Sequence, residues 1–475
     1  MDLTASTVTE LGALLQGRQA SAREVAEAHL ARIAAIDGPH SFEGSPDAIN
    51  AWIRVYEERA LADAARADER LAAGDAGPLV GVPLGLKDLY GVAGQPLTGS
   101  SRVVDLAPDT DADVAARLFA AGMVLLGHLH THEFAAGGGT DQVGNPWDLT
   151  RGPGGSSGGS GAALASRTTP AATGTDTAGS LRIPAALCGV STIKATRGAL
   201  PLRGILPLSA THDHPGPMAR TLRDCALLLH AMLGPDAGLA GPRPAGMERL
   251  LELGGDVGRP FAGVRLALSP RIGLVDVDPD VAEGFDAAVA AARKLGATIV
   301  DPPPPATDLD VGQLFLELVA TDMLAWHAPL LAEKRELYRP SIRDLLEFAE
   351  SRAMTAVEYA DMQWRRVGST AAWSDWLAEE RIDAVLEPTV PIVAPPRGHG
   401  YDAFFTDEGI AYIALTHTWD WTGFPVASLP SGVGRRSGLP VGVSVIGAPG
   451  SEVSLLEMGI ALQDELGTPA PPAPR

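Results

Sequence analysis

The chain opens with two amphipathic helical patterns. Each starts where a serine or threonine stands three residues before a glutamate, an arrangement in which the two residues cap the free N–H groups of a first helical turn. The pairs are Thr7 with Glu10 and Ser21 with Glu24, and apolar residues recur at helical spacing after each pair. We therefore predict that helices begin directly after Thr7 and Ser21.

From residue 80 onward, short apolar runs alternate with helical patterns. Short runs bounded by turn residues are typical of buried strands, and longer runs of period 3.6 are typical of helices. The predicted strands are 82–86, 123–126 and 264–268, and the predicted helices are 113–121, 279–295 and most of 306–377. This alternation favours an α/β layer structure with a mixed or largely parallel sheet.

The charge balance limits the kind of molecule that the protein is expected to bind. With 37 lysines and arginines against 58 acidic residues, the formal net charge is −21 at pH 7. No basic stripe able to neutralise phosphates is present, so we expect no nucleic-acid partner and interpret the acidity as serving solubility. The first residues lack the features of a signal peptide, and no run of about 18 uncharged apolar residues occurs. We therefore expect a cytoplasmic protein that does not span a membrane.

The chain has two cysteines, Cys188 and Cys225, each in an apolar context. A chain of 475 residues, 45% of them hydrophobic, can build a large core without a disulfide. We expect both thiols to be reduced core residues, as is usual in the cytoplasm.

Three segments carry the chemistry. They contain Lys87 in GVPLGLKDLYGVAG, Ser156 and Ser157 in GPGGSSGGSG, and Ser180 in GTDTAGSLRIPAALCG. Glycine-rich backbone lets N–H groups approach a reacting atom closely. A desolvated lysine can be neutral and accept a proton, so a buried lysine with two serines can generate a nucleophile without histidine.

These segments resemble those of the amidase signature family of serine hydrolases. Ser156 lies 69 residues after Lys87 and 24 residues before Ser180, spacings that are typical of that family. The similarity continues through THDHPGPMARTLRDCALLL, TGFPVASLPSG and LPVGVSVIG, so it covers nearly the whole chain.

The resemblance implies one large α/β domain over residues 1–475, with a central mixed β-sheet sandwiched by α-helices. Its signature core would span about 80–230, and a variable substrate-pocket region about 300–425. The Gly- and Pro-rich segment 234–260 is expected to be a surface connection rather than a domain boundary. The tail at 467–475 is expected to be flexible.

The resemblance also assigns roles within the signature. Ser180 would be the nucleophile, Lys87 the base, and Ser156 the bridging residue that follows a cis peptide bond and relays a proton between them. The backbone N–H groups expected to form the oxyanion hole are those of Thr177, Ala178, Gly179 and Ser180. The residues expected to support these loops are Gly155, Ser157, Asp176 and Arg182.

Substrate preference depends on residues outside the signature. Six of the eight tryptophans lie after residue 325, and aromatic side chains often line apolar pockets. The residues expected to line the pocket are Phe134, Gly137, Gly138, Gly139 and Trp419, with Phe404, Phe405 and Phe424 as further aromatic candidates. We therefore expect hydrolysis of aryl or alkyl amides and anilides, with carbamates or esters as extensions. The partner would be a small-molecule amide, no cofactor or metal is expected, and the chain would be a monomer or a homodimer.

Two alternatives lie within the family. Some hydrolases of urea derivatives share the sequence TDTAGS, in which Ala178 replaces the usual glycine, so a small urea derivative is a possible substrate. The A subunit of the tRNA-dependent amidotransferase is the other, and the departures SLRIP, TIKAT and the histidines near residue 130 count against it.

Two alternatives lie outside the family. Residues 155–159 satisfy the G-x-S-x-G nucleophile elbow of α/β-hydrolase esterases, which requires a strand directly before it, whereas 147–153 is predicted to be a loop. His128, His130 and His132 alternate and would share one face of a strand, as a metal site requires. A resemblance to non-catalytic positions of the family favours ordinary hydrogen-bonding roles for these histidines.

Overall fold

The computed structural model describes residues 2–234, 244–398 and 412–470. Eleven strands of these residues form one mixed sheet in the order β1-β3-β2-β4-β6-β5-β10-β11-β9-β7-β8. The strands are β1 Trp52–Val55, β2 Pro83–Lys87, β3 Val124–Leu129, β4 Ala171–Asp176, β5 Ser191–Lys194, β6 His214–Ala219, β7 Arg265–Leu268, β8 Thr298–Val300, β9 Ala384–Pro388, β10 Val426–Val433 and β11 Pro440–Ile446.

Helices pack along the sheet; for example, α3 contacts β3, α7 contacts β5 and β6, and α8 contacts β9, β10 and β11. The α-helices are α1 Val8–Gln16, α2 Ala22–Ile36, α3 Glu57–Ala72, α4 Asp113–Ala120, α5 Gly158–Ala165, α6 Arg182–Cys188, α7 Leu222–Leu233, α8 Pro279–Leu295, α9 Gly312–Lys334, α10 Pro340–Arg352, α11 Ala356–Glu379, α12 His417–Thr422 and α13 Glu452–Leu466. Short 3-10 helices occur at Leu3–Ala5, Glu133–Ala135, Met247–Gly254, Ile272–Leu274 and Arg335–Leu337. The predicted fold class, one α/β domain with a mixed sheet sandwiched by helices, is confirmed.

Local sequence signals match the elements that formed. Both capping boxes are present: the Thr7 and Ser21 side chains accept hydrogen bonds from the N–H groups of Glu10 and Glu24, and the glutamates bond back. The predicted helix 279–295 is α8, where Pro279 occupies the first turn and the residue after the helix is a left-handed glycine, Gly296.

The order of the central strands positions the site. Strand β2 runs parallel to both β3 and β4, so the carboxyl ends of all three meet at one edge of the sheet. Every residue of β2 and β4 is buried, as expected for parallel strands covered on both faces. Lys87 at the end of β2 and Asp176 at the end of β4 therefore reach the same edge.

Helix α9 with the turn after it, Gly312–Leu337, is long and apolar enough to cross a membrane by length and composition alone. Core helices pass the same test, and two acidic residues interrupt its apolar run. Glu317 forms a salt bridge with Arg352, and Asp322 accepts a hydrogen bond from Ser209 Oγ at 2.5 Å. Both acidic side chains are therefore paired with other side chains of the same chain.

Both cysteines are free and buried, as predicted. Other predictions fall outside the described residues. These are the aromatic candidates Phe404 and Phe405, part of the surface connection (235–243) and the last five residues of the tail (471–475).

Candidate active site

Lys87 is fully buried at the end of β2. Its Nζ lies within hydrogen-bond distance of three hydroxyl oxygens, Ser156 Oγ at 2.7 Å, Ser157 Oγ at 2.8 Å and Thr175 Oγ1 at 2.8 Å. Thr175 lies on β4, the parallel neighbour of β2, so the sheet itself places one hydroxyl beside the lysine. All three partners are hydroxyl groups, which can both donate and accept hydrogen bonds.

The surroundings of Lys87 favour its neutral form. Burial lowers the pKa of Lys87 well below its usual value of 10.5, although the charges of Asp176 and Asp213 oppose this shift. A neutral amine donates two hydrogen bonds and accepts one, which three hydroxyl partners can satisfy. The lysine is therefore suited to accept a proton from a hydroxyl group.

The loop of residues 152–157 holds the first two serines. The Gly155–Ser156 peptide bond is cis. A Cβ atom on Gly155 would lie 2.3 Å from the carbonyl oxygen of Gly139, so only glycine fits there. The carbonyl of Ser156 accepts a hydrogen bond from the N–H of His132 at 2.9 Å. These contacts fix the loop against the segment that follows β3.

Ser157 ties the same loop to its neighbours. Besides accepting from Lys87, its hydroxyl donates to the Thr175 carbonyl at 3.3 Å, and its N–H donates to the Ser180 carbonyl at 3.3 Å. No strand directly precedes it, because residues 152–157 form an irregular loop. The nucleophile-elbow hypothesis is therefore wrong for this segment.

The segment 177–180 links β4 to α6 and carries the third serine. The N–H groups of Thr177, Ala178 and Ser180 form no hydrogen bond with the described residues, and all three residues line a cavity. The N–H of Gly179 differs, because it donates to Asp176 Oδ1 at 2.6 Å. Of the four N–H groups expected in the oxyanion hole, that of Gly179 is therefore already bound within the loop, and the other three belong to residues that line the cavity.

Gly179 is required where it stands. Its φ of 123° lies in the region that favours glycine, and an added Cβ would lie 2.3 Å from Thr416 Oγ1. Thr416 Oγ1 itself donates a hydrogen bond to the carbonyl of Ala178. The loop is thus packed directly against the residue that precedes α12.

A buried ion cluster holds this arrangement. Arg182 binds Asp176 through two hydrogen bonds, Nε to Oδ2 at 2.8 Å and Nη2 to Oδ1 at 2.9 Å. It also contacts Asp420 Oδ2 at 2.5 Å and the Thr416 carbonyl at 3.0 Å. Although burial opposes it, the guanidinium of Arg182 lowers the pKa of Asp176. Asp176 is thereby kept ionised, and it accepts the N–H groups of Gly179 and, at 3.2 Å, Leu181.

Sequence reasoning missed Thr416 and Asp420. Neither belongs to a signature motif, but one signal was present. Asp420 is the only charged side chain between residues 412 and 428, a stretch that is otherwise apolar or neutral. A single acid in such a segment is usually buried with a partner, and here the partner is Arg182.

The cavity above these serines has a volume of about 350 Å³. The Ser180 hydroxyl lines it and forms no hydrogen bond with the described residues. The segment 137–139 lines it as well, and so do eight branched aliphatic side chains from distant parts of the chain. They are Ile183, Leu208, Leu274, Val275, Leu316, Val319, Leu345 and Ile413. The site is therefore a largely apolar pocket with a free hydroxyl at one wall.

Two residues expected in the pocket lie elsewhere. Phe134 is buried against the His327 ring, with the ring centroids 4.5 Å apart, and Trp419 is buried with its Nε1 donating to Glu387. Neither lines the cavity, and the same holds for Phe424 and the other late tryptophans of the described residues. The predicted aromatic residues that the structure describes are therefore not pocket residues, and the aromatic side chains that do line the cavity are those of Phe315 and Tyr412.

The three alternating histidines do not converge. His128 contacts the Tyr56 hydroxyl, while the Nδ1 atoms of His130 and His132 lie 3.2 Å from Ser100 Oγ and 2.6 Å from the Gly139 carbonyl, respectively. Strand β3 ends at Leu129, so the residues after it do not continue its alternation. Burial lowers the pKa values of His130 and His132 to about 3. Within the described ranges, no three potential metal ligands gather at one point.

Comparisons with known proteins give matches over nearly the whole chain. The sequence model of the Amidase family matches residues 39–456. The A subunit of the glutamyl-tRNA(Gln) amidotransferase of Ralstonia nicotianae is 36% identical over 499 residues, covering 97% of this chain and 98% of the relative.

Two solved structures are also similar. A 6-aminohexanoate cyclic dimer hydrolase complexed with substrate has a TM-score of 0.85 and 27% identity, and all of both chains is covered. A protein described as part of an unexpected vestigial complex that reveals the origins of an s-triazine catabolic enzyme has a TM-score of 0.85 and 29% identity. That match covers 98% of this chain and 100% of the other.

Proposed function

Because the chain belongs to the amidase signature family of C–N hydrolases, we propose that it cleaves apolar carboxylic amides through an acyl-enzyme formed on Ser180. The observation that carries this proposal is the amine of Lys87, buried, favoured in its neutral form and bound to Ser156 Oγ at 2.7 Å. A neutral buried lysine beside a serine is a base that needs no histidine.

In the first half-reaction, Ser180 Oγ attacks the amide carbonyl carbon. Its proton passes to Ser156 as Ser156 gives its own proton to Lys87 Nζ. The negative charge that develops on the carbonyl oxygen is stabilised by the N–H groups of Thr177, Ala178 and Ser180, which are free to donate toward the cavity. Removing one such donor typically costs about 10²–10³ in kcat.

Collapse of the intermediate breaks the C–N bond. The leaving nitrogen needs a proton, which returns from the lysine ammonium through Ser156, so the amine departs neutral. Water then attacks the acyl-Ser180 ester with the same relay acting as base, and the carboxylic acid is released. The lysine ends each cycle neutral, the form that its burial favours.

The cavity walls support apolar acyl or aryl groups. Aliphatic side chains dominate the lining, and three of the five N–H groups of Arg271 on the wall donate to backbone carbonyls. It donates to Leu309 at 3.2 Å and to Leu415 and Ala414 at 2.6 Å. This counts against a small, charged urea derivative and favours aryl or alkyl amides, anilides and carbamates, with esters as easier substrates. The similar 6-aminohexanoate cyclic dimer hydrolase supports an amide of apolar character.

A hydrolysis screen tests this proposal. The panel should contain primary amides, anilides, carbamates, esters and small ureas, and each reaction should be followed by release of amine or acid. We expect the highest kcat/KM on an aryl or alkyl amide or carbamate, and labelling by a fluorophosphonate that Ser180→Ala abolishes. An adduct located by mass spectrometry on Ser156 or Ser157, or turnover of ureas alone, would contradict the proposal.

A second candidate function comes from the relatives. The identity of 36% to the A subunit of an amidotransferase, over nearly the whole chain, supports a role as a subunit that takes an amide nitrogen from a small donor. Asp310 and Arg271 both line the cavity and are the charged groups that an amino-acid amide would contact. Release of ammonia from glutamine or asparagine, with no turnover of anilides, would favour this role. Cytoplasmic location stays a prediction under either function.

A further inference from the structure

Helix α11 (Ala356–Glu379) presents an apolar stripe to solvent. Its members recur at helical spacing on one face and are all exposed: Val357, Ala360, Trp364, Val367, Gly368 and Ala371. Val357 is 80% exposed, Trp364 74% and Val367 59%. A contiguous apolar patch of this kind is unusual on an isolated soluble chain and marks a contact surface.

The opposite face of α11 is already used by the fold. Met362, Arg366, Ser369, Trp373 and Trp376 are buried there. The helix therefore cannot rotate to bury the stripe without exposing two tryptophans. Whatever covers Trp364 must come from outside the described residues of one chain.

The stripe is shaped to receive another helix. Three of its members have little or no side chain: Ala360, Gly368 and Ala371. A Cβ atom added to Gly368 would meet nothing within 4 Å, so the space above it is open. Small residues let two helix backbones approach closely, and a large residue of one helix then fits beside a small residue of the other.

We propose that the stripe binds the same stripe of a second copy of this chain, with the two α11 helices antiparallel about a two-fold axis near Trp364. In that arrangement Val357 faces Ala371 of the second copy, and Ala360 faces its Gly368. The pattern is self-complementary, which is the requirement for a two-fold interface.

The charges at the edge of the stripe fit this orientation. Asp361 and Arg365 lie on the same edge of α11, where they contact each other at 2.8 Å and are both about 60% exposed. In an antiparallel helix pair, like edges meet, so each Asp361 comes opposite Arg365 of the second copy. A parallel arrangement would not bring these two residues together across the axis. Charge complementarity therefore favours the antiparallel direction for two copies of this helix.

Sedimentation velocity and light scattering on the full chain test the proposal. We expect a species of twice the chain mass of 49.2 kDa, which dissociates on dilution because a single helix pair gives a small interface. Trp364→Glu should give a monomer with an unchanged melting temperature. The matched control is Leu251→Glu, which places the same charge on a leucine 45% exposed outside α11 and should leave the dimer intact.

A charge exchange tests the direction of packing. Asp361→Arg and Arg365→Asp should each shift the equilibrium toward monomer, because like charges then meet across the axis. Combining them should restore the dimer. A wild-type chain that stays monomeric at every concentration, or a dimer that survives Trp364→Glu, would overturn the proposal. A dimer that the double exchange fails to restore would overturn the antiparallel arrangement.

Discussion

Replacing Thr416 by valine removes a single hydroxyl while keeping the shape of the side chain. That hydroxyl donates to the carbonyl of Ala178, whose own N–H is one of the three free donors at the cavity. The Ala178 carbonyl shares a rigid peptide plane with the N–H of Gly179, and this plane lies between the free N–H groups of Ala178 and Ser180. Loss of the hydrogen bond should therefore let this plane turn and move the flanking donors of Ala178 and Ser180 away from their productive direction.

The size of the effect follows from the bond that is lost. A hydrogen bond whose acceptor is left unpaired costs about 1–3 kcal/mol. Ala178 is half-buried beside the cavity, so water can partly replace the hydroxyl and the lower end applies to stability. If the whole cost falls on the transition state, kcat decreases by about 5- to 150-fold. This is less than the loss of an oxyanion donor itself, about 10²–10³.

The assay is steady-state hydrolysis of the best amide from the substrate screen. An interaction made only in the transition state should lower kcat and kcat/KM equally and leave KM unchanged. Thr416→Ser keeps the hydroxyl and should restore most of the activity.

Thr418 provides a matched control two residues away. Its hydroxyl is buried and has no hydrogen-bond partner in the described ranges. Thr418→Val is the same chemical change and should be neutral or slightly stabilising. Wild-type kcat in Thr416→Val, or equal losses in the two valine variants, would refute the reasoning.

Three further predictions concern the same site. With Lys87 as base, kcat/KM should rise with pH through a pKa below 10.5, because the protonated lysine cannot accept a proton; a rate that falls over that range would contradict this. Lys87→Ala should cost several orders of magnitude on an amide but less on the matched ester, whose alkoxide leaves with less help, and equal losses would count against the relay. Activity should stay within about twofold after exhaustive chelation, since the relay needs no Lewis acid, whereas recovery on adding zinc would revive the histidine hypothesis.

The signature segments could be predicted from the sequence because the backbone conformation of each is set by residues close to it along the chain. Capping residues, the glycines of 152–159 and the end of β2 fix their own backbone within a few residues, and the sheet order then brings Lys87 beside Ser156. The local sequence pattern could not show which individual backbone N–H groups are free to donate to an oxyanion. Gly179 has the same backbone N–H as its neighbours, and only the position of Asp176, set by Arg182, shows that this N–H is occupied.

The predicted pocket residues Phe134 and Trp419 lie outside the cavity for a different reason. Aromatic content alone does not tell a core ring from a pocket ring, because both environments remove the ring from water. The side chain of Trp419 is held in the core by its hydrogen bond to Glu387, and Phe134 packs in the core against the ring of His327. The cavity wall comes from several separate segments, among them those near residues 137, 274, 316 and 413. Their meeting depends on how α9 and α12 pack, which no single segment encodes.

The same packing joins the pocket wall to the oxyanion loop. Arg271 holds the carbonyls of Ala414 and Leu415, and Arg182 holds the next one, that of Thr416. Two buried guanidinium groups thus bind three consecutive carbonyls, on a segment that lines the cavity with one residue and supports Ala178 with another. A substrate that displaces residues of this wall is therefore expected to displace the N–H donors that stabilise the oxyanion as well. Substitutions on the wall are therefore expected to change kcat as well as KM, and substrate preference here is a property of the loop as much as of the pocket.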